Sequence, residues 1–324
     1  MAAFLYLAAA AAAIVALCWY MIVVPGDSYR GELTPLTAEE TALRDRLQKH
    51  VGAVASAEHN TRTPERLEAA ARYIEAELTV LGYAVRRQAF DSGEGMVRNL
   101  EATLGGRQAG SIVIGAHYDS VPGAPGANDN GSGVAALLEL ARLFRGWQPK
   151  HALRLAFFVN EEPPYFQSKA MGSRVYADEL LARGERVAAM FSLETIGYYA
   201  GRPGTQRFPF PLGFFYPDRG DFLAFVANLA SRSLLHEAIA SFRAQTRFPS
   251  EGVAAPAFIP GVDWSDQWSF WRHGIPALML TDTAPFRYPH YHLPSDTPDK
   301  VDYERLARVV AGLERMFRAL DARL

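Results

Sequence analysis

Residues Ala2 to Val24 carry no charged side chain, whereas apolar positions beyond residue 37 recur at helix and strand spacings. As a helix rising ~1.5 Å per residue, the uncharged run would extend ~35 Å, enough to cross a hydrocarbon core of ~30 Å. Trp19 and Tyr20 stand near its end, where amphipathic rings favour a membrane interface. Pro25 and Gly26 then stop it. This pattern predicts an N-terminal transmembrane helix over residues 1–25. A cleaved signal peptide is the rival reading, but no Lys or Arg precedes the run, and the run is longer than a signal's apolar core. The expected localisation is membrane-anchored, with the long C-terminal part periplasmic or extracellular.

Residues 26–40 hold Gly, Pro, Asp and Thr without clear periodicity and read as a linker. Residues 41–324 read as one folded domain. Helical spacing runs from about Thr37 to Leu81, with Thr63-Pro64-Glu65 as a helix start and Leu67, Ala70, Ala71, Ile74 and Leu78 along one face. Short apolar runs then alternate with helices. Strands are expected over Ser111–Ala116 and Leu153–Val159, over a third run that ends in Met190–Leu193, and over Pro276–Leu280. Helices are expected over Val134–Phe144, Ser173–Ala182 and Asp302–Leu320. That alternation predicts an α/β fold with a mixed, mostly parallel central β-sheet sandwiched by helices. Residues 197–265 are the least periodic stretch, read as long loops around a helix over Asp221–Leu235.

Charge changes this picture little. The formal net charge is -2, and Lys and Arg are scattered, so nucleic acid is not the expected partner. Cys18 is the one cysteine, which excludes an intrachain disulfide and any cysteine-based zinc cluster. A bound metal would need His, Asp and Glu.

Those residue types gather where an open α/β sheet binds ligands, at the carboxyl ends of its strands. The first strand runs into His117-Tyr118-Asp119, the second into Asn160-Glu161-Glu162, and the third into Glu194. Such donors suit zinc, which takes imidazole nitrogen and carboxylate oxygen. Asp119 is placed to accept the second N–H of His117 and so fix its tautomer. A glycine- and proline-rich loop, Pro122 to Gly133, carries Asp129. Taken alone, Asp129 is as well explained by turn formation or helix capping. The Glu161-Glu162 pair offers one carboxylate for a metal and one for protons.

The blocks AHYDSVPGAPGANDNGSGVAALLEL, FFVNEEPPYFQSKAMGS, FSLETIGYY and YPHYHLPSDTPDKVDY resemble, in order and spacing, the signature blocks of M28 zinc peptidases. The resemblance runs from about residue 50 to the end. It implies a zinc-aminopeptidase fold, two zinc ions per chain, peptide substrates, and removal of N-terminal residues by a zinc-activated water. It implies that His117 and Glu194 hold one zinc, that Glu162 and His292 hold the other, and that Asp129 bridges them. Glu161 would be the general base and Asp119 the partner of His117. His290 competes with His292 for its role, but the family's ligand directly precedes a segment like LPSDTPDK. The resemblance also implies a cis peptide after Asp129. The chain departs from the family in two places. Many relatives carry Asp at the position of Glu194, and Ser265-Asp266-Gln267 stands where many have His after the Asp. A tyrosine expected shortly upstream to stabilise the oxyanion is replaced by Val262 and Trp264, which leaves that donor unassigned. A single-zinc glutaminyl cyclase and a non-catalytic peptidase-like interaction domain are the alternative readings.

Overall fold

The computed structural model describes residues 15–106 and 110–324, together with Phe4 and Tyr6. Residues 15–22 are helical (α1). No helix among the described residues is long and apolar enough to cross a membrane. Residues 1–3, 5 and 7–14 of the expected spanning segment lie outside the described residues.

Eight strands form one mixed sheet in the order β1-β2-β4-β3-β5-β8-β6-β7. They are β1 (Val85–Asp91), β2 (Met96–Leu104), β3 (Ser111–His117), β4 (Ala152–Phe158), β5 (Val187–Glu194), β6 (Leu223–Ala227), β7 (Ser250–Ala254) and β8 (Ala277–Thr281). The central pairs β4–β3, β3–β5 and β5–β8 are parallel. The pairs β1–β2, β2–β4 and β6–β8 are antiparallel. β3 is buried at every position, as befits a strand covered on both faces.

One face carries α2 (Ala38–Val54), α3 (Pro64–Val80), α4 (Gly131–Leu143), α6 (Arg232–Gln245) and α8 (Tyr303–Asp321) over a large apolar core. Thr37 and Glu40 close a reciprocal capping box at the start of α2, which satisfies two otherwise unpaired N–H groups. The other face carries α5 (Gly172–Ala182) and the short α7 (Gln267–Trp271) over Val113, Phe158 and Met190. Beyond α7, the loops around Leu212 and Val262 and the end of α1 cover this face over β8, β6 and β7.

Asp221–Leu235 is not the single helix that the sequence predicts. Leu223–Ala227 is strand β6, and the helix begins only at Arg232. All five residues of β6 are buried, with Leu223, Phe225 and Ala227 facing one core and Ala224 and Val226 the other. A short run that is apolar on both faces gives no period by which to tell strand from helix. β1, β2 and β7 also went unread.

The helix α4 approaches β5 through a glycine. A Cβ on Gly133 would stand 2.4 Å from the Leu193 carbonyl oxygen and 2.3 Å from Asn130 Oδ1. Gly133→Ala is therefore expected to lower stability by ~1–3 kcal/mol, the usual cost of overpacking. Denaturant unfolding of the metal-free protein measures it.

Candidate metal centre

Three parallel strands end side by side, and each delivers a donor. His117 is the last residue of β3, Glu161 and Glu162 follow β4 within four residues, and Glu194 ends β5. Asp129 comes from the loop that enters α4, and His292 from the loop between β8 and α8. The Asp129–Asn130 peptide is cis.

Two donor groups share Asp129. His117, Asp129 and Glu194 form one, and Asp129, Glu162 and His292 form the other. His117 Nε2 lies 3.4 Å from Asp129 Oδ1 and 3.5 Å from Glu194 Oε2. His292 Nε2 lies 3.1 Å from Asp129 Oδ2 and 3.2 Å from Glu162 Oε2. A tetrahedral zinc with bonds of ~2.0–2.2 Å separates its ligands by ~3.3–3.5 Å, so this spacing fits the ion. His117 Nε2 and Glu162 Oε1 are also buried without a hydrogen-bond partner. Buried polar atoms are rarely left so, and a cation would satisfy both. His290 is placed differently: its Nδ1 meets the Ser295 hydroxyl at 2.9 Å on the exposed side of the loop.

The tautomer of His117 is set by a different atom of Asp119 from the one the sequence suggests. His117 Nδ1 is 3.0 Å from the backbone carbonyl of Asp119, while the carboxylate stands at 3.6 Å. Donation to that carbonyl leaves the Nε2 lone pair free for a metal. The Asp119 carboxylate instead accepts the backbone N–H groups of Glu161 (3.1 Å) and Glu162 (3.3 Å), tying the tip of β4 to that of β3.

The Asp129 loop is held from three sides. Asp296 accepts the N–H of Asn128 at 2.8 Å and that of Asp129 at 3.1 Å, and also the Tyr288 hydroxyl at 2.6 Å. Asp282 accepts the Asn128 side-chain amide at 2.8 Å. Asn130 donates to the Leu193 carbonyl and accepts from Thr195 N–H. On Glu194, one oxygen accepts from Thr195 at 2.7 Å and the other from Ser265 at 2.6 Å. Asp266 is fully buried, and neither carboxylate oxygen has a hydrogen-bond partner.

Proton affinities reflect this crowding. Burial, joined by the charges of Glu194, Glu162 and Asp266, raises Glu161 well above the usual carboxylate range. Burial and Asp129 push Glu162 up to about 7. Burial opposes the charge on His292, but its hydrogen bonds to the Asp129 and Glu162 carboxylates prevail and raise its pKa to about 10.

Tyr291 stands in the site without having been singled out by the sequence. Its ring stacks on His292 with centroids 3.8 Å apart. Burial and the carboxylates of Asp129, Glu162, Glu194 and Glu161 raise its pKa, so the phenol stays protonated and able to donate. The signal was present as a tyrosine directly before a ligand candidate. Tyr291 and Glu194 line an apolar cleft whose walls include Phe208, Leu212, Val226 and Met279. Trp264 lines this cleft as well.

Residues 99–316 match the profile of peptidase family M28. The chain belongs to that family. It is accordingly a hydrolase of the exopeptidase kind. It is 41% identical to the uncharacterized Escherichia coli protein YfbL over 77% of this chain and 79% of that one. In fold it is similar to an aminopeptidase from Aneurinibacillus, with a TM-score of 0.62 and 19% identity over 86% of this chain and 95% of that one. It is likewise similar to the glutaminyl cyclase of Fimbriiglobus ruber, with a TM-score of 0.64 and 21% identity over 92% and 99% of the two chains. At such identities these structures speak to the fold alone.

Two predictions follow from the geometry. A cation must displace the proton on His292 at any pH below about 10, and that on Glu162 below about 7. Zinc affinity is expected to rise with pH, ~tenfold per unit for each proton displaced, and more steeply below neutrality. Chelator competition across that range measures the slope. Asp296→Ala would leave two buried N–H groups unpaired at ~1–3 kcal/mol each, and is expected to lower the thermal midpoint of the metal-free protein.

Proposed function

We propose that this chain is a zinc-dependent aminopeptidase that removes N-terminal residues from peptides with two zinc ions. The observation that carries the reading is the pair of donor groups sharing Asp129. When bound, two zinc ions supply Lewis acidity and bring the pKa of a water toward neutrality. Glu161 belongs to neither group, yet its Oε2 is 4.0 Å from His117 Nε2. Its raised pKa suits a group that takes a proton from the attacking water and returns it to the leaving amine. Tyr291 holds its phenol proton and donates it as a hydrogen bond to the oxyanion, the role left open by Val262 and Trp264. The apolar cleft beside Glu194 receives the N-terminal side chain of the substrate. The uncharged segment Ala2 to Val24 anchors the chain in a membrane, with the catalytic domain periplasmic or extracellular.

A glutaminyl cyclase with one zinc is the competing reading, favoured by the similarity in fold to such enzymes. Retention of both His117 and Glu194 beside the second donor group supports the peptidase instead. Metal content per chain, followed with hydrolysis of amino acid p-nitroanilides, separates the two. Two zincs, with activity lost on chelation and restored by zinc, are expected. One zinc without hydrolysis would favour the cyclase, and no metal would favour an interaction domain.

Glu161→Gln is expected to keep its zinc and lose ~10²–10⁴ in kcat. Tyr291→Phe is expected to lose ~10²–10³ in kcat with KM little changed. Near wild-type turnover in either variant would remove that residue from the mechanism.

A further inference from the structure

The loop over residues 208–216 is almost entirely apolar in sequence, yet much of it faces solvent. Phe210 is 84% exposed and Phe214 is 78% exposed, and their rings pack edge to face 6.0 Å apart. Phe215 beside them is also exposed. Phe258, 85% exposed, stands on the neighbouring loop. Pro209 and Leu212 from the first loop and Pro260 and Gly261 from the second line the same cleft, so the exposed rings stand around one opening. Exposed aromatic side chains concentrated in this way mark a contact surface rather than ordinary surface scatter.

Two further observations point to what covers them. Met21 and Ile22, at the end of α1, pack in the same apolar cluster as Leu212, Val262 and Ile259. The chain's uncharged segment therefore joins the domain on the side that bears the phenylalanines. Arg232 fixes this junction, donating to the Tyr20 carbonyl and lying 4.1 Å over the Tyr20 ring. Trp19 and Tyr20 remain exposed there. Second, Arg202, Arg207 and Arg219 flank the phenylalanine loop, are exposed, and have no acidic partner among the described residues. Aromatic rings bordered by unpaired arginines fit the boundary of an anionic bilayer, where rings enter the head-group region and cations meet phosphate.

We infer that the loops bearing Phe210, Phe214 and Phe258 rest in the bilayer interface, so that the cleft leading to Glu194 opens beside the membrane surface. This goes beyond the anchoring proposed for residues 2–24 and borrows only its direction. A second copy of this chain is the other occupant such a surface could take.

The test uses the full chain in the Cys18→Ser background, which removes its one cysteine. Single reporters are placed by Phe214→Cys, Val15→Cys and Val80→Cys and labelled with an environment-sensitive fluorophore. Val80 is 82% exposed at the end of α3, beside β1 at the opposite edge of the sheet. The protein is reconstituted in vesicles of phosphatidylcholine and phosphatidylglycerol, without quencher or with lipids carrying one near the head groups or midway along the acyl chains. The expected result is a roughly twofold or greater loss of emission at position 214 with the head-group quencher, as for a side chain lying ~5–10 Å into the interface, a comparable loss at position 15 with the acyl-chain quencher, and none at 80 with either. Quenching at position 15 alone would overturn the docking and leave the anchor standing. Quenching at neither would overturn both. A shift at position 214 that depends on protein concentration and not on quencher lipid would overturn the bilayer in favour of a second copy. Because none of these readouts needs turnover, failure of the peptidase reading would not affect them.

Discussion

Asp129 must offer one carboxylate oxygen to His117 and the other to His292, and the rest of the site is arranged to make that possible. The two imidazoles come from opposite parts of the chain, one at the end of a central strand and one in a late loop. Asp129 sits between them because its neighbours are fixed. Asn128 is tied to Asp282 and Asp296, and Asn130 is tied to the end of β5. Burial works against the charge of Asp129, but both imidazoles hold its pKa well below the usual range. Such a buried cluster of carboxylates is costly unless positive charge is supplied from within it.

The parallel strands β3, β4 and β5 give this centre its rigidity. Their ends are adjacent, so residues at the tips need only point forward to converge. Loops do the remaining work, and they are tied to one another rather than to solvent. Asp119 joins the tips of β3 and β4, and Asp296 joins the His292 loop to the Asp129 loop. Glu194 marks the border between this polar cluster and the apolar cleft. One side chain thus faces both the chemistry and the surface that would select a substrate.

How much of this was legible in sequence depended on the kind of signal. The central strands were legible because long apolar runs end in His117, Glu161, Glu162 and Glu194, a contrast that survives without any structure. β6 was not, because LAFVA is buried on both faces and shows no period. Tyr291 was not, because its importance lies in stacking on His292 and in the charges it faces, neither of which leaves a pattern along the chain. The tautomer of His117 turned on backbone geometry: the Asp119 carbonyl lies closer to the ring than the carboxylate of the same residue. Part of the cleft wall comes from the irregular stretches around residues 206–216 and 253–264, where packing rather than periodicity decides the shape.

The path of residues 24–28 has a consequence for how this chain avoids its own kind. β7 is the last strand of the sheet, and its outer side is where another strand could add. Ser250 donates its N–H to the Ser28 hydroxyl at 3.0 Å, and Arg243 holds the carbonyls of Pro25 and Gly26. Val24 packs within reach of Gly252 on the same strand. The short stretch that leads into the domain therefore also caps an open sheet edge. Cutting the chain within it would do more than free the domain from its N-terminus: it would uncover a template for sheet-to-sheet association.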